Sequence, residues 1–192
     1  VGSKKNINTP DKANAVFAAG LAFPLNESDD DTVALELGNF ILGGGTLSSR
    51  LGNRIRQKEG LSYGVSSSVT VPAKGNDSRF MIRAITNPEN MDAVEKAAME
   101  ELTRFIEQGP TQQEVEDAKT AWLERQKVSR SSDSSIAGQI RSNLYLGRTF
   151  EHTSQREKQI KGLTPDKIQN AFKQHVKPEN LLIIRAGDFG SE

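Results

Sequence analysis

Residues 56–69, RQKEGLSYGVSSSV, join the end of a predicted helix to the start of a predicted strand. Charged residues precede Gly60, which is placed to end the helix, and a run rich in serine and valine follows Tyr63. Arg56 and Tyr63 stand on either side of this joint. A guanidinium and a phenol held together there could donate hydrogen bonds to a carbonyl that is gaining negative charge.

Each residue also has an ordinary structural explanation. The helix dipole favours a cation such as Arg56 in the last turn of a helix. Aromatic residues such as Tyr63 are common in strands as packing residues. The neighbouring basic residues Arg50, Arg54 and Lys58 are interleaved with polar ones and answered by Glu59, which is typical of a solvated helix face.

Before the joint, the sequence predicts one strand and two helices. Residues 15–25, AVFAAGLAFPL, are apolar enough for a buried strand, and GGG at 43–45 should end the first helix. The two helices are predicted by apolar residues at helical spacing: Val33, Leu37, Phe40 and Ile41, then Leu47, Leu51 and Ile55.

After the joint, the sequence predicts a hairpin, several helices and a last strand. Residues 63–71 and 79–86 alternate around the turn PAKGND, and residues 181–186 form the closing strand. Thr111 and Glu114 form a capping box, and Thr164 with Pro165 starts a last helix. Three further apolar sets have helical spacing: Met91, Val94, Ala98, Leu102 and Phe105; Ile136, Ile140 and Leu144; and Ile168 and Phe172.

This order of elements predicts an α+β fold, with an antiparallel sheet and helices packed on one face. We expect residues 1–12 to be a polar linker or arm, and residues 13–192 to form a single domain. SRSSDSS at 129–135 predicts a polar interruption or kink between two helices.

The composition excludes several classes of function. The chain carries 25 basic and 25 acidic residues, so it lacks the one-sided positive charge of a nucleic-acid-binding protein. It has no cysteine, which excludes disulfides and thiolate metal sites. No apolar run approaches the roughly 20 residues that cross a bilayer, so no membrane-spanning segment is expected.

Familiar catalytic motifs are missing as well. The two histidines, His152 and His175, belong to no H-x-x-E-H or H-E-x-x-H arrangement, so the chain is expected to bind no metal. GGGTLSSR does not match a phosphate-binding loop, and no serine sits in G-x-S-x-G.

The segment LGNFILGGGTLSSRLGNRIRQKEGLSYGVSSSV resembles the C-terminal-half domains of the zinc peptidase family (M16) that includes insulin-degrading enzyme, pitrilysin and mitochondrial processing peptidase. The motif R-x-x-x-G-L-S-Y carries the most specific part of the resemblance. The preceding apolar strand, the hairpin, the PTQQEVEDAK segment and the terminal strand follow in the family's order, so the resemblance covers nearly the whole chain.

The resemblance implies a division of labour between two domains. In this family the zinc-binding H-x-x-E-H lies in an N-terminal domain, and a later domain of the same fold supplies an arginine and a tyrosine across a closed chamber. The matching residues here are Arg56 and Tyr63, which are expected to bind the substrate peptide and stabilise its tetrahedral intermediate. Zinc is then expected in a partner domain, in the same parent chain or another subunit, and this chain alone should be inactive.

The family also resembles non-proteolytic core subunits of respiratory complexes. A structural or peptide-binding subunit of the same fold is therefore the alternative function, and the presence of the Arg56 and Tyr63 pair favours catalysis. The sequence leaves the peptide substrate and the cellular compartment open.

Overall fold

A five-stranded sheet forms one layer of the fold in the computed structural model, which describes residues 2–45 and 48–190. The strands are β1 (Ser3–Asn8), β2 (Ala15–Phe23), β3 (Gly64–Thr70), β4 (Ser78–Thr86) and β5 (Leu182–Gly187). Their order across the sheet is β1-β5-β2-β4-β3. Neighbours among β2 to β5 are antiparallel, as predicted, whereas β1 adds a parallel strand beside β5.

Within the predicted linker or arm of residues 1–12, Ser3–Asn8 form strand β1, which the sequence did not predict. Its sequence, SKKNIN, lacks the apolar alternation that predicts a strand, and all six residues are exposed. Backbone pairing with β5 forms it instead, and the Thr9 amide extends this pairing by donating a 2.8 Å hydrogen bond to the Gly187 carbonyl.

Six α-helices and two π-helical segments accompany the sheet in the described part of the chain. The α-helices are α1 (Thr32–Asn39), α2 (Met91–Gln108), α3 (Gln112–Arg130), α4 (Asp133–Leu146), α5 (Glu151–Lys161) and α6 (Pro165–His175). The π-helical segments are Phe40–Gly44, which continues α1, and Gly52–Lys58, which carries Arg56.

The core lies between the helices and one face of the sheet, so the α+β class is confirmed. The ring of Phe172 in α6 packs edge-on against Phe80 of β4 at 6.2 Å and against Phe105 of α2 at 4.9 Å. All five residues of the apolar set predicted in α2 are at most 1% exposed. Leu47 lies outside the described residues, while Leu51 and Ile55 of the same stripe are fully buried.

Local end signals account for the helix boundaries that the sequence predicted. Thr111 and Glu114 form the reciprocal capping box at the start of α3, and the Thr164 side chain caps α6. Gly60 has φ +63°, a left-handed conformation that glycine adopts without strain. None of the helices in the described residues is both long and apolar enough to cross a membrane.

Helices α4 and α5 differ from expectation. The predicted stripe on α4 does form a helix, but Ile140 is 44% exposed and Leu144 is 78% exposed. Asn143 is the only buried residue of α4, since this helix packs at the periphery beside α3 rather than on the core. Helix α5 was not predicted, because it buries only Ile160 and shows no apolar stripe.

Candidate functional site

A cleft of about 500 Å³ brings Arg56 and Tyr63 together at one end of β3. The cleft lies between the π-helical segments and the start of the strand, and its other lining residues are small: Gly43, Gly44, Gly45, Gly52, Gly64, Val65 and Ser66. Both residues that the motif singled out therefore face the same space, as the joint between helix and strand predicts.

Close packing explains why glycines line this cleft. A Cβ atom at Gly43 would lie 2.7 Å from the backbone nitrogen of Ser67 in β3, which is shorter than any ordinary contact. A Cβ at Gly45 would similarly lie 2.7 Å from the Phe40 carbonyl oxygen. Gly43 therefore lets the first π-helical segment approach β3, and the glycines together leave backbone rather than side chains at the cleft wall.

Arg56 is exposed and makes no hydrogen bond or ion pair with any described residue. It belongs to the segment Gly52–Lys58, whose wider turn is seen in the 3.1 Å hydrogen bond from the Glu59 amide to the Arg54 carbonyl. Residues two positions apart on a helix point to roughly opposite sides. Because Arg54 faces α2, Arg56 faces away from it and toward the cleft.

Arg50 and Arg54 hold this helix in place, which corrects the prediction of a uniformly solvated basic face. The Arg50 guanidinium donates two 2.7 Å hydrogen bonds to the Glu114 carboxylate and lies 5.1 Å from the centre of the Phe105 ring. Arg54 donates a 3.0 Å hydrogen bond to Glu59, as the sequence suggested, and also bonds to Glu100.

The carboxylates around Arg50 and Arg54 stabilise the protonated form of each guanidinium. Burial alone would lower the pKa of Arg50, but the hydrogen bond and charge of Glu114, together with the charge of Glu101, outweigh it and raise that pKa. The hydrogen bond to Glu100 is the largest contribution to the raised pKa of Arg54. Both guanidinium groups thus pair with α2 and α3, whereas Arg56 has no partner among the described residues.

Tyr63 is 65% exposed, and backbone bonds hold it at the entrance to β3. Its amide donates a 3.0 Å hydrogen bond to the Ile85 carbonyl, and its hydroxyl donates a 2.8 Å bond to Oδ1 of Asn87. The buried hydroxyl of Ser62 lies 2.7 Å from the Ile85 carbonyl oxygen and accepts a 3.1 Å hydrogen bond from the Gly64 amide. These bonds shape the turn that presents the phenol.

Sequence reasoning missed the residues that position the pair. Asn87 comes directly after β4 and Glu114 sits in a capping box, so neither had a sequence signal linking it to the cleft. Ser62 lies inside the R-x-x-x-G-L-S-Y motif, and its buried hydroxyl gives that serine a structural purpose. Only this last residue could have been found from the motif.

The described residues do not fit a zinc ion. No group of three or more histidine, aspartate and glutamate side chains among them could hold a metal. His175 is paired with Asp31 at 2.9 Å, and His152 lies 3.4 Å from Glu27. Burial, followed by the charge of Arg148, lowers the pKa of His152. Each histidine thus serves a contact between distant parts of the chain.

Comparison with known proteins places these features in a family. Residues 2–121 match the model of the family described as the peptidase M16 inactive domain. The chain is 28% identical over 173 residues to the non-peptidase homolog YmxG of Helicobacter pylori, covering 89% of this chain and 39% of that protein.

Solved structures show the same fold. A peptidase M16 inactive domain from Pseudomonas fluorescens matches with a TM-score of 0.85 and 27% identity, over 100% of this chain and 44% of that one. A protease from Helicobacter pylori also has a TM-score of 0.85, at 19% identity, over 97% of this chain and 44% of that one. The present chain therefore spans about two fifths of the length of these relatives.

Proposed function

This chain belongs to the family of peptidase M16 inactive domains, and on that premise we propose that it is the accessory domain of a two-part zinc endopeptidase. In this proposal it closes a substrate chamber and supplies Arg56 and Tyr63 to the peptide. The zinc is held by a partner domain that carries H-x-x-E-H. The observation that carries the proposal is the shared cleft into which both exposed side chains project.

The two residues have complementary chemistry toward a peptide. The Arg56 guanidinium presents up to five N–H donors, which suit the carbonyl oxygens of an extended backbone. The Tyr63 hydroxyl donates one hydrogen bond, which is most valuable to an oxygen whose negative charge develops only in the transition state. That hydroxyl now bonds to Asn87, and a substrate oxygen would replace the Asn87 acceptor.

The surroundings of the cleft support a positioning role. The bidentate bond from Arg50 to Glu114 fixes the helix that bears Arg56 against α3. The glycine walls allow a peptide backbone to approach closely. Closure by a partner domain would exclude water and strengthen both hydrogen bonds, because electrostatic interactions grow as the local dielectric falls.

A second candidate function is a non-catalytic, peptide-binding or structural subunit. The relative named a non-peptidase homolog, which is similar over most of this chain, favours it. In that case Arg56 and Tyr63 would hold a peptide, or nothing, without accelerating its cleavage.

The deciding experiment measures peptide cleavage by this chain assembled with its zinc-bearing partner. Arg56→Ala and Tyr63→Phe are compared with the wild type after circular dichroism has shown that each variant folds. Lys58→Ala is the matched control, because Lys58 is an exposed cation in the same π-helix that does not line the cleft. Loss of most activity in both cleft variants, with the control unchanged, supports the accessory catalytic domain.

Unchanged activity in both cleft variants would instead make the chain a chamber wall or assembly module. A companion measurement uses this chain alone with added zinc, and the expected result is no cleavage. Zinc-dependent cleavage by the rigorously purified chain would overturn the assignment of the metal to a partner domain.

A further inference from the structure

The face of the sheet that carries no helix, here called the open face, is uncovered in the described residues and carries positive charge. Lys4 reaches Glu95 of α2 and Arg185 reaches Asp92 of α2, so their neighbours Lys5 and Ile184 point to the opposite side. The register extends this assignment across the sheet. The cations on the open face are Lys5, Arg79 and Arg83, and no strand residue on this face is acidic.

Strand β4, which lies between β2 and the edge strand β3, carries three outward-facing side chains in a row on the open face. Arg79, Met81 and Arg83 occupy consecutive outward positions, and Met81 is 44% exposed. The outward residues of the flanking strands are small: Ala18, Gly20 and Ala22 on β2, and Ser66, Ser68 and Thr70 on β3. The three β4 side chains therefore stand above their neighbours as cation, apolar group, cation.

A hollow of about 1150 Å³ adjoins the row formed by Arg79, Met81 and Arg83. Apolar residues of β2, β4 and β5 contribute to its lining, among them Ala18, Met81, Leu182 and Ile184. Arg79 and Lys177 also line it, and no aspartate or glutamate does. The hollow thus suits a ligand with an apolar side chain and nearby negative charge.

Both arginines of the row are available to a ligand. Arg83 makes no hydrogen bond or ion pair with a described residue. Arg79 lies 3.6 Å from Asp77, and both side chains are 71% exposed, so water screens this pair and a ligand carboxylate can compete for the guanidinium.

The spacing of the row selects the conformation of the ligand. Outward residues of a strand repeat about every 6.8 Å, so the Cα atoms of Arg79 and Arg83 are roughly 14 Å apart. An extended peptide has the same repeat. Carboxylates four positions apart would meet the two arginines, and a residue midway between them would meet Met81. In a helix the same two positions are only about 6 Å apart along the axis and would not fit.

The open face is also continuous with the Arg56 and Tyr63 cleft. Gly64 and Ser66 of β3 line the cleft, while Ser68 and Thr70 of the same strand line the hollow. Ser66 lies opposite Arg83 in the β3–β4 register. A peptide lying along these strands would therefore pass from the hollow to the cleft over about 20 Å, the length of six extended residues.

We propose that the open face binds extended peptides in which two acidic residues, four positions apart, flank an apolar residue. The proposal deepens the proposed function by naming the class of peptide, and it rests on that function for the peptide's role as substrate. Binding itself needs only this chain.

The test measures binding of fluorescein-labelled peptides to the full 192-residue chain by fluorescence anisotropy. The probe is TETLTET, with glutamates four apart around leucine. TKTLTKT reverses the charges, and TETLETT moves the second glutamate so that it points to the other side of an extended peptide. We expect TETLTET to bind at least about fivefold more tightly than either of the other two peptides. Its binding should weaken as added salt screens the charges.

The variant Arg79→Gln/Arg83→Gln is expected to bind TETLTET about fivefold more weakly. Arg125→Gln/Arg141→Gln is the matched control, because it removes the same charge from exposed positions on α3 and α4 and should bind like the wild type. Equal binding of the three peptides, or equal weakening by both double variants, would overturn the proposal.

This outcome is separable from that of the cleavage experiment. Selective binding of TETLTET combined with unchanged cleavage by Arg56→Ala and Tyr63→Phe would remove the catalytic role and leave the open face as a peptide-binding surface. Loss of cleavage in those variants, without charge-selective binding of the peptides, would support the catalytic role and overturn the proposed peptide selectivity of the open face.

Discussion

The guanidinium of Arg50 donates two parallel hydrogen bonds, each 2.7 Å long, to the carboxylate of Glu114 and so joins the helix that bears Arg56 to α3. The same carboxylate accepts a 2.7 Å bond from the Thr111 amide, which caps α3. One side chain thus stabilises a helix start and positions the candidate site. Bidentate arginine–carboxylate pairs are among the stronger charged contacts because two aligned bonds form together.

Replacing Glu114 with alanine should lower the free energy of unfolding by about 2 kcal/mol, because Arg50 would be left half-buried without its main partner. Urea unfolding at neutral pH measures the change. Glu116→Ala is the control, since Glu116 lies on the exposed side of α3 and pairs only with residues of its own helix. A loss no larger than that of the control would mean that the Arg50 pair contributes little to stability.

The Glu114 pair should also make stability depend on pH in the acid range. Burial would raise the pKa of Glu114, but hydrogen bonds from Arg50 and Thr111 and the charge of Arg50 outweigh it and lower that pKa below the usual 4.5. The pair therefore stabilises the fold fully above about pH 4.5, and this contribution is lost as the pH falls through the lowered pKa.

Urea midpoints for the wild type and Glu114→Gln, measured from neutral pH down to about pH 3, test this. The glutamine lacks the charge at every pH, so the difference between the two proteins should shrink as the pH falls. A difference that stays constant would assign the effect of Glu114 to packing rather than to its charge.

Replacing two helical glycines with alanine should change the stability of the fold in opposite directions. A Cβ at Gly38 would lie 2.4 Å from the Phe172 ring, which is wedged between Phe80 and Phe105 and cannot move aside. Gly38→Ala should therefore destabilise the fold by about 1–2 kcal/mol. Gly138 on α4 has open space around it, so Gly138→Ala should stabilise by about 0.5 kcal/mol through helix propensity.

Thermal unfolding of the two alanine variants beside the wild type checks both signs. Stabilisation by Gly38→Ala would contradict the close contact between Gly38 of α1 and the Phe172 ring of α6. Destabilisation by Gly138→Ala would mean that the exposed surface of α4 does not behave as a free helix face.

The parts of the fold that the sequence predicted are those whose periodicity reflects burial. The set from Met91 to Phe105 was found because one face of α2 meets the core. Strand β1 was missed because both of its faces are exposed, and an edge strand formed by backbone pairing leaves no apolar pattern. The stripe of Ile136, Ile140 and Leu144 predicted α4 but not its exposure, since spacing identifies a face without saying what covers it.

The candidate site was likewise predicted only in part from the sequence. The motif identified Arg56 and Tyr63, and the structure brings both to one cleft. The anchors could not be identified from the sequence because their partners are remote along the chain: Glu114 lies 64 positions from Arg50, and Glu100 lies 46 from Arg54. A row of like charges such as Arg50, Arg54 and Arg56 therefore conceals two structural residues and one candidate ligand-binding residue.

Under the proposed function, Tyr63→Phe in the chain assembled with its zinc-bearing partner should lower kcat by about 100-fold and change KM little, since a hydrogen bond to a developing oxyanion exists only in the transition state. Phenylalanine keeps the ring and removes only the hydroxyl, which at present bonds to Asn87. Tyr145→Phe is the natural control, because Tyr145 is the other tyrosine of the chain and is 75% exposed on α4. Steady-state kinetics of peptide cleavage separate the two constants. A rise in KM alone would make Tyr63 a clamp for the substrate, whereas a fall in kcat alone would place its hydroxyl at the reacting carbonyl.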